Sequence, residues 1–458
     1  MKEVILNLGQ ISFPLRIPDH TDVFPMGKVL LLSNPEENIR DALTHPIDCL
    51  PLKELIHQKL QANPEARAVV VISDNTRPVP YSGSSGILFP LIDEMIKAGL
   101  RPSRIRLLVA TGTHRPMSDK ELRKMLDPRI SSLGLPLINH DCRNSNDLVS
   151  IGKTELGGEI LINRNYVESE IKILTGLVES HFMAGASGGR KSISLGILAE
   201  KSTFLLHGGP ILDSPNARDL VLEGNPVHEE ALNIAKLAGC DMIVNVTLDS
   251  NYRLTGVFAG HLESAHLASV RKLRSYAAIP VEHKYDLVIG HAGFVGVNHY
   301  QAAKGALVCI PLLKENAICI LAAYHTDPDP IGGPNYKRMM RLLGELGTEK
   351  FMNTIFDPSW NFVPEQWEAQ MWTRLFRKIP PENLIYCSLE IPEESFSWLP
   401  GTDARTIVPE AESLKELVER SIIWAVKELR HRLGREPRVA FLPDGPYGIP
   451  VEKKPKNS

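Results

Sequence analysis

The chain has no closely spaced cysteine pair, no long apolar run, no excess of positive charge and no low-complexity tract, and each absence removes a class of function. The six cysteines (Cys49, Cys142, Cys240, Cys309, Cys319 and Cys387) form no C-x-x-C. Neither a zinc knuckle nor a dense disulfide framework is written here, and reduced thiols in a cytoplasm fit best. No stretch approaches the ~18 apolar residues of a membrane span, and Met1-Lys2-Glu3-Val4 meets an acidic residue where a leader would be apolar. A soluble, untargeted, cytoplasmic protein with no membrane partner is the expectation. Lys+Arg 51 against Asp+Glu 54 gives a formal net charge of -3, so the positive field that general nucleic-acid binding requires is missing. The 15 histidines form no tract, so any histidine chemistry must be assembled from distant positions.

What is present is an enzyme-sized chain of 458 residues, 43% of them hydrophobic, enough for two domains or one large composite fold. Short β-branched runs alternate with loops and helical periods, the signature of α/β layering. Strands are expected at 68–72, 105–110, 171–174, 242–246, 287–290, 317–322, 384–387 and 439–442. Helices are expected at 87–98, 226–238, 262–277, 298–309 and 412–433. Helical crossovers between strands predict largely parallel sheets flanked by helices. The boundary is placed near Ile279-Pro280, where a long helix ends in proline and a fresh strand begins. This gives an N-terminal cofactor-binding and catalytic domain over 1–280, a C-terminal α/β domain over 281–450 and a frayed tail over 451–458.

Four segments place polar residues after an apolar strand, where open α/β sheets bind ligands. In Ser73-Asp74-Asn75-Thr76-Arg77-Pro78-Val79-Pro80, two prolines stiffen the loop while Asp74 and Arg77 project from it; Arg77 suits a carboxylate, although an Asp/Arg pair stitching a turn would look the same. In Ala110-Thr111-Gly112-Thr113-His114-Arg115, a histidine after a glycine turn suits a general base, although a lone loop histidine is more often structural. In His181-Phe182-Met183-Ala184-Gly185-Ala186-Ser187-Gly188-Gly189-Arg190-Lys191-Ser192, glycines before Arg-Lys-Ser at the start of a helix running toward His207 make an anion cradle. The segment nearly reads as a P-loop, but Arg190 stands where the second glycine belongs. A flexible turn with a solvated Arg-Lys pair is the plain alternative. In the fourth, Asn298 is a natural N-cap, and Lys304 lies at i+4 from Tyr300 and i+3 from Gln301, so the three meet one ligand or simply face solvent.

Together these segments resemble the nickel-dependent lactate racemase family. The resemblance runs through D-x-T-R-P-x-P from Asp74, T-G-T-H-R ending at Arg115, His181 and Lys191 joined by S-G-G-R-K-S, His207 sixteen residues on, and Y-Q-A-x-K from Tyr300 to Lys304. It implies two domains with the active site in the cleft between them. It implies that Lys191 is covalently attached to a nickel-pincer nucleotide (pyridinium-3,5-bisthiocarboxylic acid mononucleotide), with Asp74, Gly188, Gly189, Arg190 and Ser192 around the cofactor and His207 ligating nickel. His114 and His181 are implied as the two proton-transfer histidines. Arg77, Tyr300, Gln301, Lys304 and Trp367 are implied at the substrate, with Trp360 and Trp372 as nearby alternatives to Trp367. Proteins that make the cofactor and insert nickel are implied partners.

The chemistry explains these residue types. A C2 hydrogen beside an ionised carboxylate is hard to remove as a proton and easier to remove as hydride. The hydroxyl must then lose its proton to a base. Two enantiomers present that hydroxyl on different sides, so two histidines are needed. The implied reaction is inversion at C2 of a 2-hydroxy acid, lactate first, with malate, an aryl lactate or a sugar acid as alternatives. A nucleotide-binding phosphoryl-transfer protein built on 185–192 is the rival of another class, and a non-catalytic cofactor carrier a third.

Overall fold

The computed structural model describes residues 1–453, and two compact units emerge from it. One comprises Lys28–His207 with Ser214–Tyr276, the other Met1–Gly27 and Gly208–Asp213 with Ala277–Ser458. The expected division at residue 280 therefore differs at the start of the chain: residues 1–27 pack with the C-terminal half. The hairpin of Lys2–Asn7 and Ser12–Ile17 explains why, since Leu6, Leu8, Leu15 and Ile17 join the core of Leu287, Ile289, Ile318 and Ile320.

The N-terminal unit is built on a six-stranded sheet of β1 (Ala68–Ser73), β2 (Ile105–Ala110), β3 (Leu137–Asn139), β4 (Ile171–Leu177), β5 (Met242–Leu248) and β6 (Leu254–Gly260), in the order β6-β5-β4-β1-β2-β3. Only the β5–β6 edge pair is antiparallel. Successive residues of β1 enter different cores: Val70 and Ile72 join Leu107, Val109 and Ile173 on one face, whereas Val69 and Val71 join Leu108, Leu174 and Ile243 on the other. Both faces are thus buried, as a parallel sheet covered by helices requires. Its helices include α1 (Leu88–Lys97), α2 (Lys191–Ser194), α3 (Pro226–Ala238) and α4 (Ser264–Ala277). Because β1 neighbours both β4 and β2, the chain reverses direction of winding there, and the loops leaving the carboxyl ends of these three strands diverge around a ready crevice.

The C-terminal unit holds an all-parallel sheet of β7 (Tyr285–His291), β8 (Leu313–Ala322), β9 (Leu384–Cys387), β10 (Thr402–Asp403) and β11 (Val439–Phe441), ordered β10-β9-β8-β7-β11 and extended by the short strand Asp22–Val23. Its helices include α5 (His299–Leu307), α6 (Pro334–Leu346), α7 (Thr348–Phe356), α8 (Gln366–Phe376) and α9 (Leu414–Leu433). Ser413 caps α9 by accepting the Glu416 N–H, and Gly434 at φ 65 ends it, the two signals that bound a long amphipathic helix.

The expected α/β class with largely parallel sheets is what the chain adopts. Two local expectations are corrected. The helix expected from residue 190 toward His207 is a single turn, α2, followed by a second turn at Glu200–Thr203. Gly196 closes the first turn against β2, its backbone O accepting Gly112 N–H at 3.0 Å, and Leu198 then bridges to Ile162. The expected frayed tail begins as a strand, Ile449–Glu452, paired with Ala278–Val281; residues 454–458 lie outside the described residues. All six cysteines are free thiols. Among the described residues no helix is long and apolar enough to cross a membrane.

Candidate functional site

Asp74 leaves the end of β1 and turns inward. Its Oδ1 accepts the backbone N–H and the hydroxyl of Thr76 at 3.1 and 2.6 Å, and its Oδ2 lies 2.7 Å from His114 Nδ1. The side chain was expected to project from its loop but is 4% exposed, since these three bonds replace water. Burial pushes the carboxyl up, yet the His114 bond and charge and the Thr76 bonds outweigh it and hold Asp74 below the usual carboxylate range. A carboxylate only accepts, so His114 Nδ1 carries the hydrogen, and Nε2 is the ring nitrogen left for proton exchange. The turn carrying His114 follows β2 and needs Gly112 at φ 57, where a Cβ would stand 2.8 Å from Leu195 O.

His181 is held in the opposite sense. The two-residue strands Ser180–His181 and Gly185–Ala186 form a tight hairpin after β4, and His181 Nδ1 accepts the backbone N–H groups of Met183 and Ala184, both at 3.2 Å. Its ring proton therefore resides on Nε2. The two Nδ1 atoms are thus held in opposite senses, one donating to a carboxylate and the other accepting from backbone, on loops after strands that flank β1. Gly185, at φ 77, makes the hairpin possible, because a Cβ would fall 2.0 Å from Val221 O. Nearby, Arg77 Nε stands 3.6 Å from Glu179 Oε1, with 29% of its side chain exposed.

The glycine loop behind Lys191 is built by backbone contact rather than by a helix terminus. Gly188 and Gly189 have φ of 74 and 52; a Cβ on the first would meet Val178 Cγ2 at 2.6 Å and on the second the His266 ring at 3.0 Å. Asn245 of β5 accepts Gly189 N–H through Oδ1 at 3.4 Å, while its buried Nδ2 has no partner among the described residues. Ser192 donates to Thr175 O at 3.1 Å. Arg190, expected at the cofactor, is 1% exposed and donates to Ala184 O at 2.8 Å and Gly188 O at 3.3 Å, with His266 Nε2 at 2.9 Å from Nη1. Its charge is spent holding the loop's own carbonyls, and its Nε has no partner among the described residues. Burial alone pulls this guanidinium down to about 9. A one-turn helix lacks the dipole and the phosphate-facing N–H row of a P-loop, which removes the structural basis of the phosphoryl-transfer reading.

His207 follows the second helical turn. Burial pulls its imidazole down to about 4, with Lys191 lowering it further and the Thr203 bond opposing. The ring is neutral at pH 7, and its Nδ1 donates to Thr203 O at 3.2 Å. That assigns the lone pair to Nε2, the state a metal ligand needs.

In the C-terminal unit, Asn298 caps α5 by accepting Gln301 N–H at 2.9 Å, and Lys304 Nζ donates to Gln301 Oε1 at 2.7 Å. Trp367 Nε1 donates to Tyr300 OH at 2.7 Å, so one hydrogen bond joins α8 to α5, while Gln301 and Lys304 form a second pair within α5. Trp372 instead donates to Tyr336 OH at 2.8 Å, and Trp360 donates to Gln366 Oε1 at 2.9 Å. Sequence reasoning missed Asn245, His266 and Glu368. The first two sit in a strand and a helix with no motif around them, and Glu368 reads as an ordinary helical charge. Only their burial marks them.

Against protein-family models, residues 8–219 match the lactate racemase N-terminal domain. The chain is 31% identical over 351 residues to the lactate racemase of Thermoanaerobacterium thermosaccharolyticum, covering 76% of this chain and 79% of that protein. It is 29% identical over 418 residues to the lactate racemase of Lactiplantibacillus plantarum, covering 90% and 89%. Among solved structures it is similar to the lactate racemase apoprotein from Thermoanaerobacterium thermosaccharolyticum, with a TM-score of 0.83 and 27% identity over 99% of this chain and 100% of that one. A protein from Thermotoga maritima, at TM-score 0.62 and 16% identity over 93% of this chain and 100% of that one, shares the fold alone.

Proposed function

This chain belongs to the lactate racemase family and is an isomerase, and we propose that it inverts C2 of a 2-hydroxy acid, lactate first, using a nickel-pincer nucleotide on Lys191. The observation that carries the reading is the pair of histidines whose Nδ1 atoms are held in opposite senses on loops from β2 and β4, one by buried Asp74 and the other by backbone N–H groups.

The residues near Lys191 fit such a group. Gly188 and Gly189 occupy positions where a Cβ would clash, and Asn245 Nδ2 is a buried donor in search of an acceptor. Among the described residues no cluster of three His, Cys, Asp or Glu side chains is arranged to hold a metal. A single neutral imidazole, His207, therefore suits a nickel whose other donors arrive with its own organic ligand. When bound, that group supplies an acceptor for the C2 hydrogen as hydride and gives it back.

The chain's own residues do the rest. Arg77 suits a substrate carboxylate through paired hydrogen bonds, and Lys304 suits one as a compact charge. Gln301 and Tyr300 orient the hydroxyl end, and Trp367 excludes water from it. His114 Nε2 takes the hydroxyl proton of one enantiomer as hydride leaves, and His181 Nε2–H gives a proton to the oxygen on the other side as hydride returns, each histidine then regaining its starting state by proton exchange with solvent. Loading depends on partner proteins that make the cofactor and insert nickel. The test is a panel of enantiopure lactate, malate, aryl lactate and sugar acids incubated with nickel-loaded protein. Loss of optical rotation with lactate is expected, and rotation unchanged across the panel would refute the assignment.

A further inference from the structure

β1 and β4 part before β1 ends. Their parallel pairing runs from Ala68 opposite Ile171 to Val71 opposite Leu174, whereas β1 stays paired with β2 as far as Ser73 opposite Ala110. Two hydroxyls fill the place where the strands separate. Tyr81, 1% exposed, comes back from the far end of the 74–80 loop and accepts Ser73 N–H at 2.7 Å, and its oxygen lies 2.8 Å from Thr175 Oγ1. Thr175, also buried, gives its only hydroxyl hydrogen to Val71 O at 2.8 Å. A carbonyl only accepts, so the Tyr81 hydroxyl must donate to Thr175 Oγ1, and each hydrogen of the relay from Ser73 through Tyr81 and Thr175 to Val71 is placed. Burial raises the Tyr81 phenol above its ordinary value, which keeps the hydroxyl a donor.

The loop above this relay is stiff. Arg77 N–H reaches Asp74 O at 3.3 Å, Val79 N–H reaches Arg77 O at 2.8 Å, Asp74 binds Thr76, and Pro78 and Pro80 fix their φ. Such a loop moves as one piece, so its attitude is set at its two ends, and Tyr81 ties one end to the other. From it Asp74 backs His114, and Arg77 reaches toward the loop after β4, its Nε 3.6 Å from Glu179 Oε1. Thr175 is joined in turn to the Lys191 helix, because its backbone O accepts the Ser192 hydroxyl at 3.1 Å.

We propose that Tyr81 is a positioning residue for substrate binding: its hydroxyl spaces the carboxyl ends of β1 and β4 and closes the loop that carries Arg77, which fixes where that guanidinium meets the substrate carboxylate. The inference rests on the reading of Arg77 as the carboxylate's partner. Phenylalanine in place of Tyr81 fills the same space but leaves Ser73 N–H without its acceptor, and the loop tilts on its released end.

The test uses the full chain, purified from a host that makes the cofactor, and 2-hydroxy-2-methylpropanoate as the probe. This 2-hydroxy acid has no C2 hydrogen and cannot be turned over. Calorimetry is expected to show Tyr81→Phe binding the probe about tenfold more weakly than the parent, the size of one lost hydrogen bond, and Arg77→Met binding it more weakly still. Once Arg77 is gone the tyrosine should no longer count: the double variant is expected to bind like Arg77→Met alone, whereas a general loosening of the fold would add a second loss. Parent-like affinity in Tyr81→Phe, or additive losses in the double variant, overturns the proposal. A second measurement needs no variant to fold. In the parent, hydrogen exchange at the Ser73 amide should be as slow as in the rest of β1, and exchange as fast as in the 74–80 loop would also overturn the proposal. Arg77→Met separates the two layers. If it binds the probe as tightly as the parent, Arg77 is not a carboxylate partner and both readings fail. If it binds weakly while Tyr81→Phe matches the parent, only the role of Tyr81 falls.

Discussion

Replacing Lys191 by alanine is expected to abolish turnover and, in the same sample, to remove any mass beyond that of the polypeptide. The two losses should come together, because the residue is proposed as the sole covalent anchor of the group that accepts hydride, and no other side chain supplies an electron sink. Folding should survive. Lys191 opens a one-turn helix whose backbone is held by Gly188 O and by the Arg190 contacts to Ala184 and Gly188, none of which uses the lysine side chain. Intact-mass spectrometry of parent and variant from a cofactor-making host checks this. An adduct that persists on the variant would move the attachment elsewhere, and full activity without an adduct would remove the cofactor from the account.

The second large effect is expected at the histidines. His114→Ala and His181→Ala should each lower turnover by about 10²–10⁴, the range general acid–base catalysis supplies, while nickel content and adduct mass stay at parent levels. The direction of the loss is informative. Enantiomers in an achiral solvent have an equilibrium constant of one, so kcat/KM must fall equally for both, even if each histidine attends to one of them. Only the split between kcat and KM is free to differ. Steady-state kinetics from both enantiomers measure this, and parent-like exchange in either variant would remove that histidine from the proton-transfer role.

The fold and the candidate site were legible to different depths, for physical reasons. The eight expected strands all form, because strands buried on both faces must be apolar at nearly every position and carry a strong local signal. The N-terminal hairpin was missed: burial alternates along Lys2–Asn7, but the run Val4-Ile5-Leu6 hides that alternation in residue type, and the strand is stabilised by a core more than 250 residues away in the chain. The site motifs were legible because a glycine at positive φ, a proline-stiffened loop or an N-cap leaves a residue-type imprint. The tautomers of His114 and His181 were not, since they depend on which partner happens to face Nδ1. Arg190 misled for a related reason: a cation beside a glycine loop suggests an external anion, whereas here the loop's own carbonyls use it. Glu368 was invisible, because nothing in sequence distinguishes a buried helical glutamate from a solvated one.

The central claim is that the C2 hydrogen travels as hydride and never mixes with solvent. Nickel-loaded protein given enantiopure C2-deuterated lactate in ordinary water, followed to the racemic mixture, tests it directly. The account predicts that both enantiomers of the product retain deuterium at C2. Replacement of that deuterium by solvent hydrogen in step with racemisation would contradict it and would make the two histidines bases toward carbon rather than toward the hydroxyl.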